Sequence, residues 1–234
     1  MIGFTFAGYA APILYLIWMF RNDRYEQEPW VLVVYVFGWG VFSGVLAGAM
    51  NSLFIGRYGN PGWAAFIEEP LKILGVYMLS RSTRAKAEFN DHLDGMVYGA
   101  AAGAGFAGLE NFWYLTEMII YQDYPAFLAI LVRSTTAFGH IAWSAVAGRS
   151  LGLAKVLKGK TELVDLIPGL ILSILLHLLW NTMPTYISFF VLLPITIFIL
   201  KRYIDSSLAD EKRWGYQCYA PDENGVALDP GTPV

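Results

Sequence analysis

Glu68, Glu69 and Lys72 interrupt an apolar run covering residues 61–79, Glu110 sits in a second run at 95–115, and His140 and His177 sit in two more, 127–148 and 166–182. An ionised side chain at the centre of a bilayer costs ~2.5–3.5 kcal/mol on insertion scales, so such residues rarely persist without a role. Three carboxylates and two imidazoles on separate apolar segments are the parts of a metal-dependent hydrolase.

Spacing sharpens this reading. On a helix Glu68 and Lys72 lie one turn apart, and Lys72 also neighbours Glu69 at three residues. A lysine there holds one carboxylate ionised and leaves the other to act as a base toward water. Pro70 disturbs that helix, which is tolerated at membrane depth where backbone lines a wet cavity. Asn181 follows His177 by one turn, where its amide can stabilise an oxyanion or orient the imidazole. Gly95, Gly99 and Gly103 repeat every four residues, a stripe suited to close helix packing rather than chemistry. Arg133 reads first as a side chain snorkelling to the outer interface, with Glu117 or a substrate carboxylate as other partners. The segment from Asp23 to Pro29 reads as a solvated turn without chemistry. Each group also has a plainer reading: a structural ion pair for Glu68, Glu69 and Lys72, a proton-relay group for Glu110, satisfied core residues for the histidines.

These residues need a membrane scaffold. The 234 residues are 56% hydrophobic and only 15% charged, with a mean hydropathy of +0.46, against about 25% charged in soluble domains. A net charge of −3 gives no reason to expect nucleic-acid binding. The single Cys218 excludes an intramolecular disulfide. Apolar runs at about 3–20, 30–54, 61–80, 94–119, 125–148, 164–183 and 186–201 predict an all-α polytopic protein: a bundle of about seven transmembrane helices with a buried polar active site. The first run lacks a basic leader and reads as a helix rather than a cleaved signal. With the N-terminus outside, 13 of the 16 Lys and Arg fall in cytosolic segments and Arg57 alone falls outside. That asymmetry predicts a multi-pass cell-membrane protein with an external N-terminus and a cytosolic C-terminus. Residues 1–202 form the transmembrane helical domain, and 203–234 a short polar cytosolic tail.

Taken together, Glu68, Glu69, Lys72, Phe106 with Glu110, and His177 with Asn181 resemble the motifs of the PrsW family of intramembrane proteases, distant relatives of CAAX prenyl endopeptidases and bacteriocin-processing membrane proteins. The Asp94–Gly99 stretch and the surroundings of His140 are similar to that family as well. The resemblance covers residues 23–181 and implies a multi-helix bundle with a buried site that makes a site-1 cut in a single-span, membrane-anchored substrate such as an anti-sigma factor. It implies that Glu68 or Glu69 is the general base and that Glu110 and His177 bind metal or position water. In the CAAX relatives the second motif ends in His where this chain has Glu110, and both residue types ligate zinc. The resulting expectation is a zinc-dependent endopeptidase with Glu110, His140 and His177 on the metal and Glu68, Glu69, Lys72 and Asn181 as catalytic groups. A proton-coupled transporter and a non-catalytic membrane scaffold are the rival classes.

Overall fold

The computed structural model describes residues 2–56, 59–83 and 88–213. All regular structure among them is helical. The helices are α1 (Ile2–Asn22), α2 (Trp30–Phe54), α3 (Ala64–Ser80), α4 (His92–Thr116), α5 (Ala126–Lys158), α6 (Ile167–Thr182), the single turn α7 (Thr185–Ile187) and α8 (Leu193–Arg213). Short 3-10 turns lead into α3 and α6, and π turns extend α4 and join α7 to α8. Each predicted apolar segment coincides with one of these rods, the last with α7 and α8 together.

Boundaries moved where polar residues ride on helices. α5 continues past residue 148 to Lys158, so Arg149 and Lys155 belong to it. It stops at Gly159, whose left-handed backbone (φ 67°) favours glycine. α8 carries the chain into the predicted tail as far as Arg213. The rest of that tail, with Cys218, lies outside the described residues, as do Arg57, Arg84 and Lys86 of the charge census.

Among the described residues five helices are long and apolar enough to cross a membrane: Ile2–Asn22, Trp30–Phe54, Ala126–Lys158, Leu163–Thr182 and Thr185–Lys212. α3 and α4 fall outside this set for a physical reason. α3 has 17 residues and carries Glu68, Glu69 and Lys72. α4 is buried along most of its length, so its surface meets protein and has no need of lipid-like side chains.

α4 is the axis of the bundle, packed by α1, α2 and α5. Glycines let the backbones touch. A Cβ at Gly95 or Gly99 would run into the carbonyls of Gly148 and Ser144 on α5, and one at Gly103 would stand 2.6 Å from the carbonyl oxygen of His140. Gly40 on α2 meets the Ala102 carbonyl in the same way. Small-residue seams of this kind substitute for hydrophobic drive between helices in lipid. Here the seam also sets the position of His140.

Candidate active site

Lys72 anchors the site. It is fully buried, and its ammonium donates to Oε1 of Glu69 at 2.5 Å and to Nδ1 of His140 at 3.0 Å. Of the two glutamates the lysine therefore takes Glu69, three residues away. Glu69 has two further donors: Ser173 Oγ bonds its Oε2 at 2.7 Å, and His177 Nδ1 meets its Oε1 at 2.7 Å. An ionised carboxylate only accepts, so Nδ1 of His177 carries the proton and its Nε2 offers a lone pair.

Glu68 has the opposite surroundings. Asn51 donates to its Oε1 at 2.8 Å, while its buried Oε2 has no hydrogen-bond partner. That oxygen lies 3.8 Å from Nε2 of His177, beyond hydrogen-bond reach. Two ligands at ~2.1 Å on a tetrahedral zinc are ~3.4 Å apart, so the pair is spaced to share a metal. Ligand atoms of Glu68, His140 and His177 all lie within 4.8 Å of one another. Glu68 Oε2 and His177 Nε2 are free to ligate zinc as they stand, and His140 can join them through Nδ1 in place of its bond from Lys72.

His140 bridges this group to a second carboxylate. Its Nε2 contacts Oε2 of Glu110 at 3.0 Å, and since Nδ1 accepts from Lys72, Nε2 is the donor. Arg133 bonds the same Glu110 oxygen, and its Nε donates to Asn111 at 2.9 Å. The guanidinium also lies 4.4 Å from the ring of Tyr114. Arg133 is thus buried and paired rather than snorkelling, which corrects the first reading. Each imidazole has one nitrogen against a carboxylate, Glu69 for His177 and Glu110 for His140, the usual device for orienting metal-binding histidines. Trp143 stacks on His177 at 4.7 Å and the two imidazoles meet edge-on at 4.9 Å, which restricts both rings.

A cavity of about 730 Å³ opens on Glu68, Glu110, His140 and Arg133. A second, of about 540 Å³, reaches the same two glutamates between α2 and α4, past Gly44, Gly48, Phe106 and Leu109. Asn181 lines the first cavity, where its amide donates to the Pro61 carbonyl at 3.3 Å and makes no bond to His177.

Glu68, Glu69, Lys72, Glu110, His140 and His177 thus form one connected cluster, with Asn181 at its edge. Asn51, Ser173 and Arg133 were missed as site residues. A signal existed for Arg133, since opposite charges buried in a membrane pair with one another. Asn51 and Ser173 are ordinary polar residues in apolar helices, and only packing reveals them.

Residues 28–202 match the PrsW family of intramembrane metalloproteases. The chain belongs to that family. Among PrsW relatives, Protease PrsW of Bacillus subtilis is 29% identical over 210 residues, 85% of this chain and 91% of the relative. Protease PrsW of Geobacillus kaustophilus is 26% identical over 230 residues, covering 92% of this chain and 84% of the relative. That of Halalkalibacterium halodurans is 27% identical over 188 residues. No solved structure gives a significant match. PrsW membership makes the chain an intramembrane protease, a multi-pass hydrolase of peptide bonds whose substrate is a protein. The rival classes of transporter and scaffold have no comparable support.

Proposed function

We propose that the chain is a zinc-dependent intramembrane endopeptidase that cuts a membrane-anchored protein, with Glu68, His140 and His177 as the metal-binding set. The observation that carries this is the unpartnered Oε2 of Glu68 facing Nε2 of His177 across 3.8 Å. Zinc bound there supplies Lewis acidity and lowers the pKa of water toward ~7. Glu69, held by Lys72 and Ser173, keeps the proton of His177 on Nδ1. Glu110 holds the proton of His140 on Nε2, which leaves Nδ1 to the metal in place of Lys72, and as a carboxylate lining the cavity it accepts the water's proton and returns it to the leaving amine. Asn181 has a second amide hydrogen for the oxyanion. Relative to the expectation from sequence, Glu68 and Glu110 exchange roles.

One observation favours a second reading. Both nitrogens of His140 are engaged, by Lys72 and Glu110. In a metal-free mechanism Glu68 is the base and the histidines are hydrogen-bond donors.

The substrate enters sideways. The cavity between α2 and α4 is lined by small and apolar residues and ends at Glu68 and Glu110, a path for an unwound strand leaving lipid. On the positive-inside reading all seven rods span, the N-terminus is outside and the C-terminal tail is cytosolic. Glu68, early in α3, and Asn181, at the end of α6, then face the external side. A site-1 cut in an anti-sigma-factor-like protein suits that placement.

The test is metal content by mass spectrometry on detergent-purified protein, beside cleavage of a membrane-anchored reporter in liposomes. About one zinc per chain, lost together with cleavage in both His177→Ala and Glu68→Gln, supports the proposal. Full cleavage by metal-free protein that Glu68→Gln abolishes moves the mechanism to the second reading. Full cleavage by both variants removes these residues from the site.

A further inference from the structure

The segment from Asp23 to Pro29, expected to be a solvated turn, is folded into the protein. Asp23 is fully buried and Glu28 nearly so, and both pack against Asp94 in the first turn of α4. Ligand oxygens of Asp23, Glu28 and Asp94 lie within 4.8 Å of one another. This cluster is 16 residues from Glu110 along α4, or ~24 Å at 1.5 Å per residue.

A group of acids needs a reason to crowd. Part of this one is internal to the fold. Asp94 accepts from the backbone N–H of Asn90 and Asp91, Asp91 caps α4, and Tyr98 donates to Glu28. Asp23 is different: neither of its oxygens has a hydrogen-bond partner. A buried, unpartnered carboxyl aimed at two other carboxyls is costly without a counter-charge. No Lys or Arg among the described residues pairs with Asp23, Glu28 or Asp94. Glu211 of α8 also has both oxygens unpartnered and adds negative charge near Asp23.

We infer that Asp23, Glu28 and Asp94 bind a hard divalent cation, Mg²⁺ or Ca²⁺, that ties the α1–α2 connector to the start of α4. An all-oxygen, all-carboxylate donor set without His or Cys selects these ions over zinc. The ion neutralises the crowded acids and pins the helix whose far end carries Glu110. The inference is independent of the hydrolytic mechanism, because no residue is shared with the Glu68–His140–His177 group.

The experiment is calorimetric titration of MgCl₂ and, separately, CaCl₂ into chelator-treated, detergent-purified full chain. Asp23→Asn and Glu28→Gln proteins run beside it, each checked for a monodisperse profile. The expected result is saturable binding at about one site per chain, with the preferred ion given by the tighter arm. Loss of a ligand should weaken it at least ~10-fold in either variant, since even outer partners of a metal site cost 10–100-fold. His177→Ala should leave this affinity unchanged; a loss there would put the ion at the catalytic centre and overturn the assignment. Absence of saturable heat with either salt in folded wild-type protein also overturns it, whatever the variants do. So does equal affinity in wild type, Asp23→Asn and Glu28→Gln. If Asp23→Asn does not fold, Glu28→Gln carries the comparison.

Discussion

Nδ1 of His177 donates to Oε1 of Glu69 across 2.7 Å, joining α6 to α3 over a sequence separation of 108 residues. The bond makes Glu69 an orienting group, with Lys72 on the same oxygen and Ser173 on the other. Glu69→Gln keeps the size but loses the charge that selects this tautomer. Zinc affinity, measured by chelator competition, and the cleavage rate should fall ~10–100-fold together. An unchanged affinity with a lost rate would make Glu69 the base instead.

Arg133 and Glu110 predict a coupled stability effect. Removing one partner of a buried ion pair strands the other and costs ~3–5 kcal/mol. Arg133→Met should therefore destabilise the protein, moderated because Glu110 faces the cavity. Adding Glu110→Gln should restore most of the loss. Unfolding in detergent, run as a double-mutant cycle, measures the coupling; additive effects would show that the pair does not act as a unit.

The contact between Gly103 and the backbone of His140 predicts activity loss without unfolding. A leucine at Gly103 pushes α4 from α5 at the residue that must meet Glu110 and Lys72. Overpacking of this kind costs ~1–3 kcal/mol. Circular dichroism should show intact helix while cleavage is lost. Gly38→Ala, on α2 where a Cβ meets nothing within 4 Å, is the control and should be silent.

Stability should depend on pH through the acids outside the membrane spans. Burial raises Asp23, Glu28 and Asp91 to about 8, helped by the charges of Asp91 and Glu211 on Asp23 and of Asp94 on Asp91. The native state then holds protons that an unfolded chain has released. Their stabilisation is complete below the unfolded values near ~4 and is lost as pH rises through about 8. In chelator the melting midpoint should fall between pH ~5 and ~9. Saturating Mg²⁺ or Ca²⁺ should flatten that fall, because the ion replaces the protons. A midpoint that rises with pH in chelator would contradict the assignment.

Much of this architecture is legible in the chain itself. Apolar runs located every helical rod, because lipid and core both demand continuous hydrophobicity over a helix length. The misplaced charges marked Glu68, Glu69, Lys72, Glu110, His140 and His177, because an ion in apolar surroundings needs a partner. Helical spacing could not say which glutamate Lys72 would choose, since three and four residues are both one turn. That choice, and with it the exposure of Glu68 to the cavity and of Glu69 to Ser173 and His177, depends on how α3, α5 and α6 are rotated about their axes. Arg133 read as a snorkelling residue because depth along one helix says nothing of what faces it from the next. Asp23 and Glu28 read as solvated because charge in a connector normally meets water. Only the fold brings them under α4, where three carboxyls share one buried space.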